Sequence, residues 1–224
     1  ICNTLCEDKV LQILAEKDAL FNADNNPQLT ATNLVLGNAR PFAGEYGISK
    51  NPESFVSESY RSYFTDKVRG AVIRLSKDGL TAISDAGMKN WFRDNLKLPT
   101  SILNSKLIGS YDDRKKEYNL TLKESGKTLT YREDVKGWVS FKSFVYENAN
   151  SCANEYYTFK DGNLWKHHVY KTDANTGLEI NRNTFYKTLP IAGQGFVSSS
   201  FTAVLNDMPG SIKSFHTINY EGSQ

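Results

Sequence analysis

The chain has 224 residues, with 27 Lys and Arg against 25 Asp and Glu for a formal charge of +2. That length suits one large or two small domains and a core that needs no covalent staples. The near-neutral balance and the scattered charges exclude a dedicated nucleic-acid binder, which would carry a basic stripe. Aromatic residues make up 12% of the chain, with twelve Tyr and twelve Phe, an enrichment that favours strands over helices.

In chain order, Thr4 and Glu7 have the spacing of a capping box, and Val10, Leu11, Ile13 and Leu14 follow, which predicts a short helix over 4–21. Asn22 to Pro27 then reads as a break. Residues 1–39 are expected to form an N-terminal helical or linker segment, and 40–224 a β-rich domain. A second short helix is predicted over 86–98. Met88, Trp91, Phe92 and Leu96 share one helical face there, and Pro99 closes it.

Most of the remainder reads as short antiparallel strands joined by tight turns. Residues 61–65 and 71–75 pair around 66–70, and 76–79 turns again into 80–83. The pattern returns at 107–111 and 117–122, at 156–159 and 164–169, and at 201–205 and 211–215. The turn aspartates Asp66, Asp113, Asp161 and Asp207 are 47, 48 and 46 residues apart. A hairpin recurring at that interval predicts a mainly β, propeller-like array. An irregular β-sandwich fits the same hairpins equally well.

The residues that could carry chemistry have plainer readings. Cys2 and Cys6 lack two further ligands close in sequence, so buried free thiols are expected rather than zinc. With Cys152 the count is odd, and no disulfide framework follows. His167 and His168 are adjacent on a predicted strand, point to opposite faces and cannot chelate one ion together; His216 stands alone. Ser76-Lys-Asp-Gly79 misses the sialidase aspartate box by one position. No nucleophile elbow or phosphate-binding glycine motif is present, and Gly193-Gln-Gly195 is too short to count. Trp138 could be a sugar platform, but packing is the favoured reading. No catalytic, cofactor-binding or metal-binding residue is assigned, and no enzyme activity is expected. No apolar run approaches the ~20 residues that span a bilayer. The start at Ile1 and the end at Tyr220–Gln224 suggest a piece of a longer protein.

Four segments together carry a resemblance. They are Ala43–Phe55, Tyr63–Leu80, Gly137-Trp-Val-Ser-Phe-Lys-Ser-Phe144, and Leu205 to the closing Tyr-Glu-Gly-Ser-Gln224. This set resembles virion structural proteins of tailed bacteriophages, notably contractile-tailed phages of cyanobacteria, and is similar to nozzle, muzzle or "stabilisation" proteins. The resemblance implies a structural part of the tail, neck or baseplate, built in the host cytoplasm and resident in the virion. It implies partners among copies of the chain and neighbouring tail proteins, and proximity to a DNA channel without specific DNA binding. The alternative is a carbohydrate-binding tail domain for host recognition.

Overall fold

The computed structural model describes residues 2–21, 27–97, 106–169, 186, 200–205 and 208–217, with backbone alone over 15–21 and 27–34. The chain divides into two units, residues 1–186 and 187–224. Among its described residues the first holds fourteen strands and one α-helix. The described residues of the second, 200–205 and 208–217, form no strand or helix.

The first sheet joins β1 (Cys2–Leu5), β2 (Val10–Phe21) and β3 (Pro27–Pro41). The predicted helix over 4–21 is therefore not formed. The amide of Cys6 instead donates to the carbonyl of Lys9 at 2.8 Å, so Cys6–Lys9 is a hairpin turn rather than a helix start. Leu5 then lies opposite Val10, and Phe21 opposite Pro27. The helix-forming run Ala15-Glu-Lys-Asp-Ala-Leu20 has yielded to pairing with β3, a tertiary override of local propensity. The break expected at 22–27 falls where β2 and β3 meet, and residues 22–26 lie outside the described residues.

The second sheet is β4 (Val56–Ser57), β5 (Ser62–Asp66), β6 (Ala71–Ser76) and β7 (Gly79–Ala82). Helix α1 (Lys89–Leu96) follows, inside the range expected from Met88, Trp91, Phe92 and Leu96. Phe92 and Leu96 are buried, and Met88 and Trp91 pack against the same core. Pro99 lies outside the described residues. The third sheet is β8 (Leu107–Asp112), β9 (Glu117–Leu122), β10 (Lys127–Arg132) and β11 (Gly137–Lys142). The fourth is β12 (Asn148–Cys152), β13 (Glu155–Lys160) and β14 (Asn163–Lys166). All four are antiparallel with sequential strand order, and none closes on itself.

Strand alternation explains how the sheets stack. On β5, Tyr63 faces one core and Phe64 the other; on β6, Val72 opposes Ile73 in the same way. The first sheet packs Val10 against the Phe64–Ile73–Leu75 face. The opposite face, with α1, meets Tyr118, Leu120, Leu122 and Leu129 of the third sheet. Ile108 of β8 turns away toward Tyr146 and Tyr156, beside the fourth sheet. Successive sheets thus bury one another's faces in chain order, because each exposes an apolar set on its inner positions.

The even spacing of turn aspartates does not mark equivalent turns. Asp66 accepts the Arg69 amide at 2.9 Å after β5. After β8 it is Asp112, not Asp113, that accepts the amides of Arg114 and Lys115, each at 3.1 Å. Asp161, at φ 52°, sits between the second and third strands of its sheet, whereas Asp113 follows a first strand. The hairpin expected at 201–215 is absent: Phe201–Leu205 and Ser211–Phe215 carry no strand. Asp207 lies outside the described residues.

Gly109 and Gly70 sit where no side chain fits. A Cβ on Gly109 would lie 2.1 Å from the carbonyl oxygen of Ser54. Gly70 has φ +68°, and its Cβ would lie 2.8 Å from Arg93 Cα in α1. Replacing Gly109 with Ala is expected to lower stability by about 2–3 kcal/mol, because backbone rather than a flexible side chain must move. Thermal unfolding of Gly109→Ala measures this, and an unchanged midpoint would refute the close approach.

Candidate functional site

Two polar clusters and one apolar stretch stand out as places where the protein could act. The first cluster lies at a cleft of about 950 Å³ between the second and third sheets. Glu133, in the β10–β11 turn, organises its floor. It accepts the Tyr63 hydroxyl at 2.8 Å and the Arg74 guanidinium at 2.8 Å, with Arg61 at 3.8 Å. Tyr63 stacks on Tyr118 at 4.6 Å and Tyr111 at 6.0 Å between ring centres. Burial, reinforced by the Glu133 carboxylate, holds the Tyr63 hydroxyl far above its ordinary pKa. Burial also pushes Tyr111 up to about 12. Both phenols are therefore neutral donors at physiological pH, and neither is primed as a nucleophile.

The second cluster links the third and fourth sheets. His167 and His168 follow β14 rather than lying within it. His168 meets the Asp112 carboxylate at 2.6 Å, and His167 meets the Thr158 hydroxyl at 2.7 Å. They serve separate partners. Burial works to raise the Asp112 pKa, but the His168 contact and the turn amides outweigh it and hold the carboxyl below its usual range. Burial depresses His167 to about 4. Beside them the Ser110 hydroxyl bonds the hydroxyls of Tyr146 and Tyr156, each at 2.7 Å. Every member of this network has a hydrogen-bond partner, and the Asp112–His168 and Ser110–Tyr156 contacts tie the third sheet to the fourth.

Trp138 does not offer a sugar platform. Its indole donates to the Ile83 carbonyl at 3.0 Å, and its ring packs 4.6 Å from Phe92 and 5.5 Å from Tyr131. The thiols differ from expectation: Cys2 and Cys152 are exposed and Cys6 half-buried, all unpaired. Strand alternation explains Cys152, which falls on an outward position of the edge strand β12; Cys2 opens the edge strand β1 beside Asn3, which is exposed as well. Among the described residues no group of three metal-ligating side chains converges, and no helix is long and apolar enough to cross a membrane. Gly193-Gln-Gly195 and the Tyr220–Gln224 ending lie outside the described residues.

The apolar stretch is in the second unit. Phe201, Val204, Leu205, Met208, Ile212 and Phe215 are all exposed, from 64% to fully so. Sequence reasoning placed these residues in a hairpin, where alternate side chains would have been covered. The Glu133 cluster was not legible at all, because its members come from three separate hairpins.

The His167 geometry gives a pH dependence. The unfolded chain takes up the imidazole proton near pH 6.5, whereas the folded chain resists it until about 4. Stability is therefore full above pH 6.5 and falls as the pH drops through that window, by on the order of 1–3 kcal/mol. Thermal unfolding from pH 7 to 4.5 is expected to fall less steeply for His167→Gln than for the parent. Parallel curves would show that His167 does not contribute.

A family profile described as the crassvirus muzzle protein matches residues 17–162. No curated protein matches the chain. Among solved structures, the chain is similar to selenomethionine-substituted virginiamycin B lyase from Staphylococcus aureus, at 12% identity and a TM-score of 0.33. It is likewise similar to the catalytically inactive variant of that lyase with quinupristin, at 11% identity and a TM-score of 0.32. Each match covers 71% of this chain and 59% of the lyase. Likeness at these scores says nothing about activity. The profile, by contrast, runs from within β2 through the β13–β14 turn, and the chain belongs to the crassvirus muzzle protein family, a family of phage virion structural proteins.

Proposed function

We propose that the chain is a part of the phage tail, neck or baseplate, acting through lasting interfaces with copies of itself and with neighbouring tail proteins. The family assignment supports a virion role, and the stretch from Phe201 to Phe215 carries the interface reading. Six large apolar side chains face outward there within fifteen residues. A protein that works alone rarely exposes such a concentration. Each of these side chains, once covered, adds about 1.5–3 kcal/mol of apolar burial to an interface.

The stacking of the sheets in chain order supports a propeller-like wedge, whose two end sheets would meet further sheets. The clusters at Glu133 and Asp112 support assembly rather than catalysis, because their groups are spent on one another. In this reading the protein needs no cofactor, is built in the host cytoplasm and resides in the particle. A DNA channel could pass nearby without being gripped, since a net charge of +2 supplies little phosphate attraction.

Self-association tests the reading. Sedimentation of the full chain at micromolar concentrations is expected to show oligomers. The combined variant Phe201→Ser, Leu205→Ser and Ile212→Ser is expected to sediment as a monomer with an unchanged thermal midpoint. A parent chain that stays monomeric, and that has no density in electron cryomicroscopy of intact particles, would overturn it.

A further inference from the structure

The cleft above Glu133 has more positive charge than its own carboxylates can use. Six Lys and Arg line it against three Asp and Glu. Both Glu133 oxygens are taken by Tyr63 and Arg74, and Asp134 is taken by Arg132. Lys115, Lys116 and Lys136 have no carboxylate partner among the described residues, and all three are exposed. They come from two turns, 113–116 and 133–136, at the same end of the third sheet, so the sheet itself holds them together. Lys116 and Lys136 each adopt a positive φ, at 55° and 49°, and tight turns of this kind fix where a side chain starts.

We propose that this cleft is a binding site for a short acidic peptide segment of another protein chain. Three unneutralised ammonium groups line one side of a concave space whose size is typical of ligand sites. Separate carboxylates on a flexible peptide can each reach one lysine. A continuous phosphate backbone fits less well, because Asp78, Glu133 and Asp134 interrupt the cations along the walls and would repel it. The half-buried floor is neutral overall, since Glu133 is matched by Arg74 and Arg61 by Glu58. Attraction therefore comes from the rim, where it guides a partner and sets orientation more than raw affinity. The inference deepens the assembly reading and rests on it, by naming the chemistry of one partner. Peptide binding is measured apart from self-association, so either can fail while the other stands.

The test is fluorescence anisotropy with the full chain and labelled hexaglutamate, with hexaglutamine as the neutral control. Hexaglutamate is expected to bind with an affinity that falls as salt rises, and hexaglutamine not to bind. Each single change, Lys115→Gln, Lys116→Gln or Lys136→Gln, is expected to weaken binding about two- to five-fold, the range of an exposed ion pair. The combined reversal Lys115→Glu, Lys116→Glu and Lys136→Glu is expected to abolish it. These residues are exposed and outside the core, so an unchanged thermal midpoint accompanies the loss. No hexaglutamate binding, or binding that survives the triple reversal, would overturn the proposal. So would tighter binding of a short DNA duplex that the same reversal removes, because the site would then be a nucleic-acid contact.

Discussion

The seam between the second and third sheets depends on a short segment that belongs to neither. Asn51 uses its side-chain amide as though it were a strand backbone. It donates to the Leu107 carbonyl at 2.8 Å and accepts the Leu107 amide at 3.1 Å. Ser54 continues the join, accepting the Thr65 amide at 3.1 Å and donating to the Asn51 carbonyl at 2.9 Å. Its own carbonyl presses on β8 where Gly109 leaves room. Asp66, fully buried, ties the start of the segment by accepting the Gly47 amide and the Ser49 hydroxyl, each at 3.2 Å. An unmet polar group in this place would cost about 1–3 kcal/mol. The segment therefore fixes how β5 and β8 lie side by side, and the aromatic stack of Tyr63, Tyr111 and Tyr118 follows from that placement.

The third sheet shows two ways of burying a face. Toward the second sheet it presents Tyr118, Leu120, Leu122 and Leu129, and non-directional apolar packing suffices. Its other face is polar and still buried. Thr121 bonds Thr128 at 2.7 Å, Thr130 donates to Asn119 at 2.7 Å, and Thr128 also reaches the Phe144 carbonyl at 2.6 Å. Such a face tolerates one register only, because a slip by one residue would strand every hydroxyl. The apolar side supplies most of the stability, and the polar side specifies which arrangement of sheets is reached.

Local chemistry was legible in the sequence where it was self-contained. The hairpins at 62–76, 107–122 and 155–166 carry alternating aromatic and β-branched residues around turn residues, and helix α1 shows its stripe from Met88 to Leu96. What failed was whatever depended on distant pairing. Ala15–Leu20 has helical composition and becomes a strand because β3 lies beside it. Strands β10 and β11 lack a clean alternation, because β10 buries Thr128 and Thr130 as well as Leu129 and Tyr131, and β11 leaves Val139 and Phe141 exposed. Phe201–Leu205 and Ser211–Phe215 have the alternation of a hairpin, yet the described residues of their unit form no sheet for them to join. The Glu133 cleft joins Arg61 and Arg74 to a turn some sixty residues on, and no local pattern announces that.

These features separate the parts that the chain stabilises itself from the parts that need something more. Val10 and residues 42–169 hold three buried cores and the polar seams between them. Beyond Ile13, where β1 stops pairing with β2, the first sheet continues as a two-stranded ribbon from Lys17–Ala31 to Phe21–Pro27. A two-stranded ribbon has only one neighbour per strand and is marginal in water by itself. In the second unit, Phe201, Val204, Leu205, Met208, Ile212 and Phe215 stand exposed among the described residues. The rigid stacked body and these two outlying elements divide the labour in the proposed assembly: the body supplies shape, and the outlying elements are the places to which that proposal assigns its neighbours.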